Sequence, residues 1–125
     1  MESRRILLVE NLATMGHVIG AYLMDAGFEI ARVTTPDEAT ERLELQQPDL
    51  IIFNTGLPAE LKSSYINRWR AVAPATKILE ISEYPLIVAG GSLLASEIGA
   101  ADMYVQIPFD FDKLPDFVAE CLDGG

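Results

Sequence analysis

Short, wholly apolar runs recur along this chain, each followed by a stretch with helical periodicity. That alternation restricts the fold more than any other feature. Ile6–Val9 and Leu50–Phe53 are apolar at every position, as expected of strands buried on both faces. Between them, Met15, Val18, Ile19, Tyr22 and Leu23 follow helical spacing within Thr14–Ala26, and Gly27 stands where a helix stops. Phe28–Val33 reads as a strand. Thr35-Pro36-Asp37-Glu38 is a helix start, with a hydroxyl cap, proline in the first turn and acids at the positive end of the dipole. That helix runs to about Leu45.

The alternation continues to the end of the chain. Ser63–Val72 is a helix with Ile66 and Trp69 inward, Lys77–Ile81 a strand, Pro85–Ile98 a weaker helix and Met103–Ile107 the fifth strand. Asp112 can cap a last helix to Leu122, with Pro115 tolerated in its first turn. Five strands alternating with five helices over residues 1–125 predict one α/β domain with a doubly wound parallel sheet. In such sheets ligands sit beyond the carboxyl ends of the strands. The positions to question are therefore Glu10-Asn11, Thr34, Asn54-Thr55-Gly56, Ser82-Glu83 and Gln106-Ile107-Pro108.

Several chemistries fail at those positions. The first turn, from Glu10 to Gly16, has no glycine pattern to admit a pyrophosphate. Gly90-Gly91 follows no strand. His17 falls mid-helix with no nucleophile partnered to it, so it is expected to be a surface imidazole and the chain no enzyme. Cys121 is the single cysteine, which excludes an internal disulfide and a cysteine zinc site. A net charge of −10 opposes direct contact with nucleic acid or anionic lipid. It suits a basic partner surface, a cation, or solubility alone. No apolar run is long enough to span a membrane and no secretory leader is legible, so the cytoplasm is the expected compartment.

Three segments resemble the receiver domain of two-component response regulators, the CheY-like fold. They are Ile6-Leu7-Leu8-Val9-Glu10-Asn11, Pro48-Asp49-Leu50-Ile51-Ile52-Phe53-Asn54 with Leu57-Pro58, and the run from Gly99 to Phe109. The likeness extends from Arg5 to about Leu122 and implies strand order 2-1-3-4-5, with the first and last helices on one face. It also implies where chemistry belongs: an acidic pair after the first strand, a phosphoacceptor Asp after the third, Thr or Ser after the fourth, and Lys before the proline after the fifth. Here those positions hold Glu10-Asn11, Asn54, Ser82 and Ile107. Only Ser82, and Glu10 in part, fit.

Each departure removes a distinct part of the chemistry. The amide of Asn54 is a far poorer nucleophile than a carboxylate. Mg²⁺ requires hard oxygen ligands, usually with one or two carboxylates; Glu10 alone is a poor set, so neither metal nor other cofactor is expected. Ile107 offers no cation to a phosphoryl oxygen. The resemblance thus implies a degenerate receiver acting by protein contact without phosphorylation; the alternative is a phosphoacceptor switch using Mg²⁺.

Contact surfaces are expected on the family's face of fourth helix, fifth strand and fifth helix, toward a protein partner or a second copy. Pro85–Ile98 contains one charged residue, so some of Leu86, Ile87, Val88, Leu93 and Leu94 are expected to face outward. The same residues also fit an irregular segment packed on its own domain. Tyr104 matches the family's aromatic switch position and is expected as a fixed aromatic at that surface. A second candidate is the uncharged face of the first helix, formed by Gly16, His17, Gly20, Ala21 and Met24.

Overall fold

The computed structural model describes residues 4–54, 59–82, 92–94, 101–106 and 110–124. Its elements are β1 (Arg5–Glu10), α1 (Ala13–Asp25), β2 (Glu29–Val33), α2 (Pro36–Leu45), β3 (Leu50–Asn54), α3 (Ala59–Val72), β4 (Lys77–Ser82), β5 (Ser92–Leu94), β6 (Met103–Gln106) and α4 (Leu114–Gly124). One sheet holds them in the order β2-β1-β3-β4-β6-β5. The first five of these pair in parallel, and β5 adds to the edge antiparallel to β6. The expected five-stranded parallel order 2-1-3-4-5 is therefore present, with β6 as its fifth strand.

The apolar runs are continuous because both sheet faces are covered. Ile6, Leu8, Leu50 and Ile52 pack with Ile19 and Leu23 of α1 and Val118 of α4. Leu7, Val9, Ile51 and Phe53 pack on the opposite face with Leu43 of α2 and Ile66 and Trp69 of α3. This period of two, read from both sides, places the first and last helices on one face and α2 and α3 on the other, as expected. Trp69 is almost wholly buried, meets Phe53 edge-on at 5.4 Å, and donates from Nε1 to Thr40 Oγ1 at 3.0 Å.

Helix ends follow local chemistry. Gly27 has φ +100°, the left-handed conformation that closes α1. Its N–H donates to Met24 O at 3.0 Å, and Phe28 N–H donates to Leu23 O at 3.1 Å, a Schellman arrangement in which both side chains at the outer bond join one core. At the start of α2, Thr35 Oγ1 accepts from Glu38 N–H at 3.2 Å.

Four expectations require correction. Residues 92–94, placed in the fourth predicted helix, form the strand β5. The adjacent Gly90-Gly91 weakens helix propensity, and the free edge of β6 offers backbone partners instead; the rest of that helix, with Leu86, Ile87 and Val88, lies outside the described residues. On α1, Gly16 and Gly20 are buried, not outward. A Cβ on Gly16 would stand 2.6 Å from Arg32 Nη2, and one on Gly20 would stand 3.9 Å from Ile30. The small residues admit β2 side chains, whereas His17, Ala21 and Met24 do face outward. The helix α3 begins at Ala59, ahead of the expected Ser63. Finally, Asp110, not Asp112, is the cap before α4: its Oδ1 accepts from Asp112 N–H at 3.0 Å and opens a 3-10 turn over Phe111–Lys113.

Candidate functional site

Parallel strands bring their carboxyl ends to one edge of the sheet. Glu10 closes β1 in register with Asn54, the last residue of β3, and Ser82 closes β4 in register with Gln106 at the end of β6. The sheet thus gathers Glu10, Asn54 and Ser82 at the edge where the sequence placed them. Asn11 follows Glu10 and is exposed. Ile107 lies outside the described residues.

The Glu10 carboxylate is buried, at 1% exposure. Its Oε1 accepts from Leu12 N–H at 3.0 Å. Leu12 is the residue that caps α1 and has no side-chain acceptor of its own. The carboxylate two residues earlier thus satisfies an amide at the positive end of that helix. One oxygen of Glu10 is committed to the turn. Among the described residues of the edge, the set for Mg²⁺ is poor: the carboxylate of Glu10, the exposed amide residue Asn11 beside it, and Asn54 in register. The residues present do not fit that ion. Among the described residues, no three of His, Cys, Asp and Glu come together as metal ligands would.

Tyr104 is buried, at 8% exposure, and its hydroxyl accepts from Ala101 N–H at 3.0 Å. This corrects the expectation of an aromatic displayed at a partner surface. The β6 register turns Tyr104 onto the same face as Phe53 and Trp69.

Two residues that the sequence reading missed lie beside it. Glu80 is 6% exposed in the middle of β4. Lys62 of α3 reaches it, Nζ donating to Oε2 at 2.6 Å, with side-chain exposures of 14% and 7%. A signal was present: Glu80 is the one charge inside Ile78–Ile81, a run expected to be buried. Lys62 fell just outside the predicted third helix.

Other acids act at the opposite edge. Asp49 Oδ2 accepts from Arg5 N–H at 2.8 Å, and Asp102 Oδ2 accepts from Ile78 N–H at 2.8 Å while facing Arg70 Nη2 at 3.3 Å. They tie strand starts to neighbouring loops. A cleft of about 460 Å³ also opens there, between the beginnings of β1 and β2 and the end of α2, lined by Arg5, Leu7, Glu29, Arg42 and Leu45. It is remote from Glu10 and Asn54 and shares none of their residues. Among the described residues, no helix is long and apolar enough to cross a membrane.

Known proteins share this fold. No family model matches the chain. It is 30% identical over 110 residues to the virulence transcriptional regulatory protein PhoP of Shigella flexneri, covering 88% of this chain and 48% of that protein. The chain therefore spans about half the length of the curated relatives it matches. In structure it resembles a CheY-like receiver domain protein from Methanospirillum hungatei, with TM-score 0.80 and 20% identity over 98% of this chain and 96% of the other. It also resembles a response regulator from Thermotoga maritima, with TM-score 0.77 and 22% identity over 97% and 98%. The fold is that of CheY-like receiver domains, and the sequence is similar to the matched half of a response regulator.

Proposed function

We propose that this receiver domain works without phosphorylation, as a protein-interaction module in bacterial signal transduction and not as an enzyme. The observation that carries the proposal is the state of the carboxyl edge. Its one acid among Glu10, Asn11 and Asn54 is buried and bound to the Leu12 amide, and its register partner is neutral Asn54. A phosphoryl group there would lack a carboxylate to attack it, a carboxylate cluster to hold its metal, and a lysine at position 107 to offset its charge. Function then rests on surface. The face ending in β6 and the three-residue edge strand β5 is the proposed contact, because an edge strand offers its backbone groups to a partner chain. Leu93 and Leu94 lie on that edge strand.

The test exposes the chain to acetyl phosphate and Mg²⁺, then measures intact mass and sedimentation. The expected result is an unchanged mass and an unchanged association state. A gain of one phosphoryl group with a shift in association would establish the phosphoacceptor reading instead. Replacing Leu86 and Leu94 together by Glu is expected to abolish association while leaving the folded spectrum intact.

A further inference from the structure

At the amino ends of β1 and β2, the cleft of about 460 Å³ falls within the size range of small-molecule sites. Two register pairs line it from the sheet, Arg5 with Glu29 and Leu7 with Ala31, and the last turn of α2 lines it with Arg42 and Leu45. Leu7 and Ala31 belong to the apolar layer beneath α2 and α3. Ala31 is the short member of its pair, and its methyl group leaves room beneath the end of α2. Leu43 in that turn is buried, whereas Leu45, on the cleft wall, is 83% exposed. The cleft also inverts the charge of the molecule. Arg5 faces Glu29 at 3.3 Å, and Arg42 forms no ion pair among the described residues. Two cations against one anion thus line an apolar floor in a chain of net charge −10. A cation in the last turn of a helix complements the dipole, which accounts for Arg42 along α2 but not for the gap in the layer beside it.

We propose that this cleft binds a small monocarboxylic acid with an apolar body. The carboxylate pairs with the Arg42 guanidinium, whose planar fork of donors matches it. The body covers Leu7, Ala31 and Leu45 and takes their apolar surface out of water. A single positive charge in excess suits a monoanion, while Glu29 opposes a dianion such as a phosphate monoester. An uncharged apolar molecule would shield Arg42 from water and give it no partner. A second groove, between Leu12 of α1 and Phe111, has apolar walls and no charged residue, and provides a comparison within the same molecule. The cleft shares no lining residue with the carboxyl edge, and its test uses no phosphodonor, so neither result decides the other.

The test titrates the chain with sodium hexanoate at constant ionic strength and follows amide shifts by heteronuclear NMR. Saturable shifts are expected at Leu7, Ala31 and Leu45, with affinity at least tenfold above any response at Leu12 and Phe111. Hexanol, which keeps the body and lacks the charge, is expected to bind at least tenfold more weakly than hexanoate. Arg42→Gln, at an exposed position, is expected to weaken hexanoate at least tenfold and to leave hexanol unchanged. Ala31→Leu fills the floor and is expected to abolish the shifts from both; the same spectra report whether each variant is folded, and Arg42→Gln decides the matter if Ala31→Leu is not. The absence of a saturable shift overturns the site, as does equal affinity at the two grooves, which would mean non-specific apolar partition. Hexanoate binding that survives Arg42→Gln, or that hexanol equals, overturns recognition of the carboxylate.

Discussion

Cys121 is 3% exposed, and burial pushes its thiol up to about 12. In the unfolded chain the same thiol ionises near 9.0. The folded form therefore holds its proton more tightly, so the thiol's contribution is fully present below pH 9 and is lost as pH rises toward 12. The added slope is at most about 1.4 kcal/mol per pH unit. Urea titrations of Cys121→Val across that window are expected to show a shallower alkaline fall than the parent chain. Tyr65, whose hydroxyl donates to Asp37 at 2.8 Å, is also raised by that bond and remains in both proteins, so the difference isolates the thiol. Two glycines make a sharper pair. At Gly27, φ is +100° and a Cβ would meet nothing within 4 Å; the penalty for Gly27→Ala is conformational, about 1 kcal/mol. At Gly16 the obstacle is the tip of the exposed Arg32 side chain, which can swing away. Gly16→Ala is expected to be neutral or stabilising by up to about 1 kcal/mol, since alanine favours the helix. Equilibrium unfolding separates the two.

At the start of α2, the Thr34 hydroxyl donates to Glu38 at 2.8 Å and the Thr35 hydroxyl donates to it at 3.2 Å, while Glu38 N–H returns to Thr35. The Thr34 bond leads in holding the Glu38 carboxyl below its usual range. Thr35→Ala is expected to cost about 1 kcal/mol in unfolding free energy. It should also raise the Glu38 titration midpoint, read by carbon-detected NMR. This helix was legible in the sequence because every signal is local: cap, proline, acids and a periodic apolar face. The strands β1 and β3 were legible for a related reason, since burial on both faces leaves no polar position. The region after β4 was not. A helical pattern of leucines and a strand at a sheet edge differ by what lies beside them, and the β6 edge that recruits Ser92–Leu94 is not encoded in those residues. The glycines of α1 misled for the same reason: their neighbours, Arg32 and Ile30, come from another element. At the carboxyl edge, residue identity was plain, but the Glu10 bond to Leu12 and the Lys62–Glu80 pair required the fold.

In the assembled molecule, restoring the nucleophile does not restore a switch. Asn54→Asp would place a carboxylate in register with Glu10. Two acids at one edge should bring back measurable Mg²⁺ affinity, and an acyl phosphate could form slowly from acetyl phosphate. Position 11 would still hold an amide and position 107 an isoleucine, so the phosphoryl charge would be only partly offset. Transmission is the harder requirement. A modification shifts a conformational equilibrium only by the difference in its contacts between two states. Here Tyr104 is already buried with its hydroxyl on the Ala101 amide, so little inward movement remains for a phosphoryl group to drive. Moving a population from 1:99 to 99:1 takes about 5.5 kcal/mol of such preference, and isoleucine at position 107 provides no charged contact toward it. The expected outcome for Asn54→Asp is Mg²⁺ binding by calorimetry, with sedimentation and the Ala101 exchange rate unchanged by beryllofluoride. A beryllofluoride-dependent change in association, absent from the parent chain, would show that one substitution separates this domain from a working switch.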